Sequence, residues 1–394
     1  MRPAAPDTAP EAFAIVAPGL AALAAAELQA LGVPPLVVES AGVAFAGHPE
    51  AVLRVNMHAR LVSRVVVRLA TFTARDFVTL EKAAQRVPWA RVLAPGDTAL
   101  LSVTCRKSRL YHSDAVAERV ARGITRALPD VRTDVATRDD DEDIAPVPTA
   151  TRVQRLLVRF DRDVCTISAD TSGALLHRRG WRLATAKAPL RETLAAALLA
   201  ASGWPGDAPL LDPLAGAGTI PIEAALMARR MAPGLSRDFA CESWPGADRS
   251  LALRLREAAR AQVLPSAPAP IVCADRDPGA IEAARANAER AGVANDLQFV
   301  QQPLSATSLE HIGTRGWLVT NPPWGIRTGD PATLRALWGS LGALVRAGGA
   351  AWTFTAVVPD PALAKELRLS LDRVLITTAG GRQVAFLRSR RSGR

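Results

Sequence analysis

The sequence has no long uninterrupted apolar run, although hydrophobic residues make up 49% of its 394 residues. A membrane-spanning helix needs roughly 18 such residues in a row. The proline-rich start over residues 1–6 also lacks the apolar stretch of a secretory signal peptide. The sequence therefore predicts a cytoplasmic protein that has no membrane partner and folds into about two or three domains.

Cysteine is scarce and scattered. Its four copies form no Cys-x-x-Cys pair, and no histidine lies nearby at ligand spacing. This spacing argues against a structural zinc site and against a disulfide framework, so we expect no metal and a reducing compartment.

Lysine is also rare, since only four of the 48 basic residues are lysines. The formal net charge of +10 is therefore carried almost entirely by arginine. Arginine suits phosphate groups and base stacking, so the charge favours a polyanionic partner such as RNA. The alternative is that an Ala- and Arg-rich chain reflects only the base composition of its gene.

The first 170 residues show small mixed units of strand and helix, typical of an α+β region. A predicted strand over 99–105 is followed by three cations and the only tyrosine of the chain, Arg106, Lys107, Arg109 and Tyr111. These residue types suit contact with an RNA backbone and base. The alternative is a solvated turn before the predicted helix over 114–128. Five adjacent carboxylates over 139–143 predict a solvated linker.

From about residue 170 onward, strand-like and helix-like segments alternate. Short apolar runs near 210–211, 271–274, 298–300, 317–319 and 350–356 are separated by helical patterns. A helix over 361–371 and a hairpin over 374–387 are predicted at the end of the chain. This alternation predicts an α/β fold with a Rossmann-like, doubly wound sheet.

Residues 210–219 predict a strand, a glycine turn and the start of a helix. Gly216 and Gly218 allow the backbone to approach a ligand closely, beside the free N–H groups of a helix N-terminus. A nucleoside triphosphate loop would need Gly-Lys-Ser/Thr, and a dinucleotide fingerprint would need glycine in place of Pro221. The remaining pattern suits S-adenosylmethionine, with Asp212 as the negative neighbour of its sulfonium and amino groups.

Further candidates follow the next two predicted strands. Asp275 ends one strand, where a carboxylate can bind a ribose diol, and Asp277 is either a second candidate or a helix cap. Pro303 stands where an acid often contacts adenine. Adenine recognition is therefore left to Gln301, Gln302, the backbone or another loop.

The stretch Asn321-Pro322-Pro323-Trp324 follows the predicted strand over 316–319. Two prolines stop strand pairing and give a rigid loop. The amide oxygen of Asn321 and the carbonyl of Pro322 can each accept a proton of one exocyclic amine, and Trp324 can stack on the ring that carries it. If only the ring face matters, Trp324→Phe should have little effect. The alternative is a turn that happens to contain two prolines.

The motifs Asp-Pro-Leu-Ala-Gly-Ala-Gly-Thr (212–219) and Asn-Pro-Pro-Trp-Gly (321–325) resemble those of class I methyltransferases that act on exocyclic amines. Residues 170–173, 177–182 and 188–192 look like the entry to the catalytic domain of THUMP-domain RNA guanine-N2 methyltransferases. The front half is similar to their ferredoxin-like and RNA-binding parts, so the resemblance covers nearly the whole chain. The sequence departs from the family pattern at Trp324, where tyrosine is more usual, at Pro303, and in the acidic insert near 139–148.

The resemblance implies a ferredoxin-like part over 1–55, a THUMP RNA-binding domain over 56–169 and one methyltransferase domain over 170–394. It implies catalytic roles for Asn321, Pro322, Pro323 and Trp324. The cofactor-binding residues that we expect are Asp212, Pro213, Gly216, Gly218, Thr219, Asp275, Pro189 and Glu192. The RNA-binding residues that we expect are Arg106, Lys107, Arg109, Tyr111, Arg178 and Arg179.

The expected activity is S-adenosylmethionine-dependent methylation of a guanine N2 amine in RNA, of the type that acts on bacterial 23S rRNA. A tRNA guanine is a close alternative substrate. The same motif also serves methylation of adenine N6 and of glutamine amides, and the basic front half argues against a protein substrate. A non-catalytic RNA-binding assembly factor is the alternative outside enzymes, and the intact Asn321 and glycine loop argue against it.

Overall fold

A computed structural model of the chain describes residues 10–136, 151–183, 190–325 and 330–390. The acidic linker predicted near residues 139–148 and the candidate Pro189 lie outside these ranges. In the described ranges the chain forms two β-sheets, and helices pack against both of them. Within these ranges, every helix falls short of the length or the hydrophobicity that a transmembrane span requires.

The first sheet has eight strands, all of them from the described residues up to Asp170. Its strands are β1 (Glu11–Val16), β2 (Pro35–Glu39), β3 (Gly42–Ala46), β4 (Val62–Thr73), β5 (Thr98–Arg106), β6 (Arg132–Val135), β7 (Val153–Asp161) and β8 (Val164–Asp170), in the order β2-β3-β1-β4-β8-β7-β5-β6. Its helices are α1 (Ala21–Ala30), α2 (Pro49–His58), α3 (Phe77–Gln85) and α4 (Ser113–Ala127). The long strand β4 pairs with β1 on one side and with β8 on the other, so the sheet is continuous across the whole front half.

The second sheet has seven strands. They are β9 (Leu210–Asp212), β10 (Ile271–Asp275), β11 (Leu297–Gln301), β12 (Gly316–Thr320), β13 (Trp352–Val358), β14 (Leu371–Ala379) and β15 (Arg382–Ser389), in the order β11-β10-β9-β12-β13-β15-β14. Strands β9 to β13 run parallel, and β14 and β15 form an antiparallel pair at one edge. The predicted α/β doubly wound sheet is thereby confirmed.

The helices of this half alternate with its strands. They are α5 (Glu192–Ser202), α6 (Thr219–Ala228), α7 (Arg249–Ala261), α8 (Pro278–Arg290), α9 (Pro331–Gly348) and α10 (Pro361–Glu366). Strand order reverses at β9, because β10 lies on one side of it and β12 on the other. In open α/β sheets such a switch point forms a crevice at the carboxyl ends of the strands.

Two elements differ from the sequence prediction. The predicted helix over 361–371 ends at Glu366, because Arg368 adopts a left-handed φ of 51° and Leu371 already begins a strand. The short strand β6 was not predicted at all. Its four residues pair in parallel with β5, and such a non-local pairing leaves little local signal.

Buried polar contacts fix the chain where it leaves the first sheet, at the end of β8. Asp170 forms a buried ion pair with Arg64 of β4. Asn56 of α2 donates through Nδ2 to Thr171 Oγ1 at 2.8 Å and accepts at Oδ1 from Ser172 Oγ at 2.6 Å. Buried polar groups are costly unless they are satisfied, so these contacts fix the path of the chain into the second half.

Candidate functional site

The glycine loop lies at the carboxyl end of β9, at the switch point. Ala215 donates its backbone N–H to Ala274 O at 3.0 Å, and Gly216 donates to Asp275 Oδ2 at 2.9 Å. Gly216 has a positive φ of 54°, which glycine adopts without strain. The loop therefore folds over the end of β10 and brings Gly216 and Asp275 together, as the sequence suggested for one ligand site.

Most of the other predicted cofactor residues on this loop lie behind its surface. Asp212, Pro213 and Thr219 are buried, whereas Gly216 and Asp275 are partly exposed. Gly218 has a φ of 81°, and a Cβ placed on it would lie 2.9 Å from the Cβ of Ala284 in α8. Glycine at 218 is therefore required by helix packing, whether or not its backbone also contacts a ligand.

Asp212 is a buried carboxyl group at the tip of β9. It is 1% exposed, and its Oδ1 accepts the backbone N–H of Leu214 at 3.1 Å. Burial raises its pKa to about 7, and the negative charge of Asp275 adds to this shift. No ion pair joins Asp212 to a cation in the part of the chain that the structure describes. A bound cation would stabilise its ionised form.

The loop after β12 meets the glycine loop at the same edge of the sheet. Strand β12 pairs in parallel with β9, with Leu318 opposite Leu211. The residues that follow the two strands therefore leave the sheet side by side. This register brings Asp212 and Asn321 to one end of the fold.

Two indole groups hold the Asn-Pro-Pro-Trp loop in place. Trp324 Nε1 donates to Asn321 Oδ1 at 3.1 Å, and Trp338 Nε1 of α9 donates to Pro323 O at 3.3 Å. An indole N–H can only donate, so Asn321 must present its oxygen rather than its amide nitrogen to Trp324. The Asn321 oxygen keeps a second lone pair, and no described residue donates a hydrogen bond to the carbonyl of Pro322. The loop therefore offers acceptors at fixed positions.

Glu192, the first residue of α5, is buried and forms an ion pair with Arg182 at 3.0 Å. Its burial raises its pKa to about 7. Its predicted contact with the cofactor stays a prediction, and Pro189 lies outside the described residues.

The predicted RNA-binding loop of the front half is open to solvent. Arg106, Lys107 and Arg109 are exposed, and none of them forms an ion pair with another residue of the described ranges. Tyr111 is 68% exposed and lies against the ring of His112, with 4.1 Å between ring centroids. The loop has the accessibility that RNA contact requires, and its role stays a prediction.

Arg179 does not belong to such a surface. Its buried guanidinium forms an ion pair with Glu223 of α6 at 3.3 Å and donates to Leu176 O at 2.6 Å and Arg60 O at 2.8 Å. The prediction that Arg179 binds RNA is therefore wrong, because its side chain joins the two halves of the protein. Arg178 is half-buried, and its predicted contact with RNA stays a prediction.

Sequence reasoning also missed a cavity of about 440 Å³ that opens beside Trp324. The residues that follow β13, from Pro359 to Leu363, line one side of it. A signal was present in the sequence, because Pro359 directly follows a strand much as Pro322 follows Asn321 after β12, and Pro361 begins a helix.

Two family models match the chain. A model described as an RMKL-like methyltransferase domain matches residues 179–382, and a model described as the RlmL ferredoxin-like domain matches residues 11–66. The chain is 32% identical over 377 residues to slr0064 of Synechocystis sp., named as a candidate RNA methyltransferase, and this match covers 95% of each chain. It is also 37% identical over 382 residues to the ribosomal RNA large subunit methyltransferase K/L of Syntrophotalea carbinolica. The match covers 92% of this chain but 51% of that relative, so the chain spans about half its length.

Solved structures share the fold over nearly the whole chain. SMU.472, described as a candidate methyltransferase in complex with SAH, matches with a TM-score of 0.85 and 26% identity, over 98% of this chain and 99% of that one. A Listeria monocytogenes protein described as a predicted N6-adenine-specific DNA methylase matches with a TM-score of 0.83 and 28% identity, over 96% and 95% of the two chains.

Asp212 should make the stability of the fold depend on pH. Between its ordinary value of 3.8 and its folded value of about 7, the unfolded chain releases the proton of Asp212 while the folded chain keeps it. Rising pH therefore destabilises the fold in this window, by up to about 1.4 kcal/mol per pH unit. Asp212→Asn keeps the acceptor for Leu214 and removes this destabilisation. In thermal unfolding, the stability of the variant relative to the wild type should rise from pH 5 to pH 8. A stability difference that stays constant over this range would refute the raised pKa of Asp212.

Proposed function

The chain belongs to the RMKL-like methyltransferase family, and we propose that it methylates the exocyclic N2 amine of a guanine in 23S rRNA. The observation that carries the proposal is the acceptor oxygen of Asn321, which Trp324 Nε1 holds at the switch point beside the glycine loop, with the carbonyl of Pro322 next to it in the chain. The relatives named ribosomal RNA large subunit methyltransferase K/L support an RNA substrate.

The glycine loop and its neighbours fit S-adenosylmethionine, which supplies an electrophilic methyl group on a sulfonium when bound. The partly exposed backbone at Gly216 and the carboxylate of Asp275 form the open side of this site. Asp212 offers a buried carboxylate that lacks a cationic partner among the described residues, so it suits a positively charged ligand. The SAH complex of SMU.472 supports the same cofactor class.

Asn321 and Pro322 would act by positioning the amine. The lone pair of an exocyclic amine is delocalised into the base, so its N–H bonds must be held if the lone pair is to face the methyl donor. The remaining lone pair of the Asn321 oxygen and the carbonyl of Pro322 can each accept one of these N–H bonds. A neutral amide takes up no proton, so the gain comes from orientation and from charge stabilisation.

The base must leave its stack to reach these acceptors, and the face of Trp324 can receive it. The exposed cations of the loop after β5, together with Tyr111, would bind RNA at the front half. The proposed division is a ferredoxin-like part over 1–55, a THUMP domain over 56–169 and a methyltransferase domain over 170–394. The model of the RlmL ferredoxin-like domain extends to residue 66.

Methylation of adenine N6 is the second candidate. It is favoured by the Listeria structure, whose description names that chemistry. Adenine N6 is also an exocyclic amine, so the acceptors at Asn321 and Pro322 would suit it equally. A guanine in tRNA is a further alternative, because its N2 amine presents the same two N–H bonds to the acceptors at Asn321 and Pro322.

The indole N–H of Trp324 should matter for turnover. Trp324→Phe keeps a ring face but removes the hydrogen bond that holds the Asn321 oxygen, so kcat should fall about 5- to 10-fold, the equivalent of about 1 kcal/mol. Cofactor affinity should stay unchanged. Trp204→Phe is a matched control, because it removes an indole hydrogen bond to Ala208 O away from the site. Equal kcat in both variants would show that the hydrogen bond from Trp324 to Asn321 does not affect turnover. Trp324 would then act only as a stacking face, as the sequence suggested.

The proposed activity is tested by mapping modified nucleosides in 23S rRNA and tRNA from cells with and without the gene. We expect one N2-methylguanosine to disappear from 23S rRNA, to return with the wild-type gene and not to return with Asn321→Ala. Loss from tRNA alone would select the tRNA alternative, and loss of N6-methyladenosine would select the second candidate. Unchanged RNA would refute RNA methylation.

A further inference from the structure

The cavity beside Trp324 lies between the loop after β12, the first turns of α9 and the residues that follow β13. Its volume of about 440 Å³ falls within the roughly 300–1,000 Å³ typical of small-ligand sites. Trp324 and Leu334 give it an apolar wall, and Arg335, Asp360 and Arg382 give it charged groups. An apolar wall beside charges of both signs suits a ligand that carries a flat ring, hydrogen-bond donors and an anionic group.

The register of the sheet places one of these charged groups at the same edge as Asn321. Strands β12 and β13 are parallel, with Thr320 opposite Ala356. Asn321 is thus level with Val357, and Asp360 follows three residues later. The loops that carry Trp324 and Asp360 leave adjacent strands side by side and line one cavity.

Asp360 has one oxygen occupied and one available. Its Oδ1 accepts the backbone N–H of Ala362 at 2.8 Å as the N-cap of α10, which fixes the side chain. No described residue donates a hydrogen bond to its Oδ2. Glu366 is the other carboxylate on the lining, and it lies at the opposite end of α10, farther from β13.

The two cations of the lining are also available. Arg335 on α9 and Arg382 at the start of β15 are exposed, and neither forms an ion pair within the described ranges. They come from different elements and reach the same cavity. Two guanidinium groups that converge in this way suit a phosphate group.

We infer that this cavity is the pocket for the target guanine nucleotide, and the inference rests on the proposed function. The base lies against Trp324, its N1–H donates to Asp360, and Arg335 and Arg382 bind its backbone phosphate. A carboxylate only accepts hydrogen bonds, so it favours the N1–H of guanine and disfavours adenine, whose N1 is itself an acceptor. Asn321 and Pro322 do not line the cavity themselves, but Asn321 is hydrogen-bonded to Trp324 on its wall. Asp360 is thereby the residue that selects guanine, whose 2-amino group extends past Trp324 toward the acceptors at Asn321 and Pro322.

The role of Asp360 is tested with two synthetic RNA fragments, which carry at the mapped position either guanine or 2,6-diaminopurine. Diaminopurine keeps the 2-amino group, but its N1 accepts hydrogen bonds. Asparagine caps a helix as well as aspartate and can donate to that N1. The preference for guanine is the ratio of kcat/KM for the guanine fragment to kcat/KM for the diaminopurine fragment. We expect this ratio to be at least about 10-fold lower in Asp360→Asn than in the wild type.

Glu366→Gln, which changes the other carboxylate of the lining, should keep the wild-type preference. An Asp360→Asn variant with the wild-type preference would overturn the assignment. If the wild-type protein methylates neither fragment, the proposed function itself is refuted. If the wild type is active and Asp360→Asn keeps the wild-type preference for guanine, only the assignment of the pocket is refuted.

The phosphate contacts are tested with the double variant Arg335→Gln and Arg382→Gln, using the guanine fragment as the probe. We expect KM to rise while kcat stays unchanged. The slope of log binding constant against log salt concentration should become shallower by about 0.7 to 0.9 for each phosphate that the protein no longer neutralises. Arg373→Gln is the matched control, because Arg373 is an exposed cation on β14 outside the cavity. A double variant with the salt dependence of this control would overturn the phosphate contacts.

Discussion

The parallel pairing of β12 with β9 on one side and β13 on the other is the constraint on which the site depends. It places the glycine loop, the Asn-Pro-Pro-Trp loop and the residues after β13 at one edge of one sheet, although they lie up to about 150 residues apart in sequence. Each loop is then fixed by its own contacts: Gly216 on Asp275, Asn321 on Trp324, and Asp360 on Ala362. A rigid sheet edge with locally fixed loops is the arrangement that positional catalysis needs.

The front half is fixed to helix α6 of the second half rather than tethered loosely. Buried contacts of Asp170, Thr171 and Ser172 with α2 and β4 hold the chain as it leaves the first sheet, and the ion pair between Arg179 and Glu223 holds it against α6. Breaking one partner of a buried pair costs more than a surface pair is worth. An RNA bound at the front half would therefore present its target at a set distance from the Asn-Pro-Pro-Trp loop.

Local sequence patterns predicted the second sheet and the positions of the glycine loop and the Asn-Pro-Pro-Trp loop well. They could do so because strand periodicity and turn residues depend on only a few neighbouring residues. They failed where the environment comes from distant residues. Arg179 looked like one of several surface cations, yet Glu223, 44 positions away, draws it into the interior. Gly218 looked like a ligand-facing glycine, and its packing against Ala284 is visible only in three dimensions. Trp324 was predicted as a stacking face, but its bond to Asn321 depends on the path of the loop.

The central claim is that Asn321 holds the amine of a guanine during methyl transfer. The most direct measurement is the single-turnover rate of methyl transfer to the mapped RNA fragment by Asn321→Ala, with cofactor affinity measured alongside. We expect the rate to fall by about 10²-fold or more while cofactor affinity is nearly unchanged, because the variant lacks an acceptor needed in the transition state. A near-wild-type rate, or methylation of a fragment in which inosine replaces the target guanine, would contradict the claim.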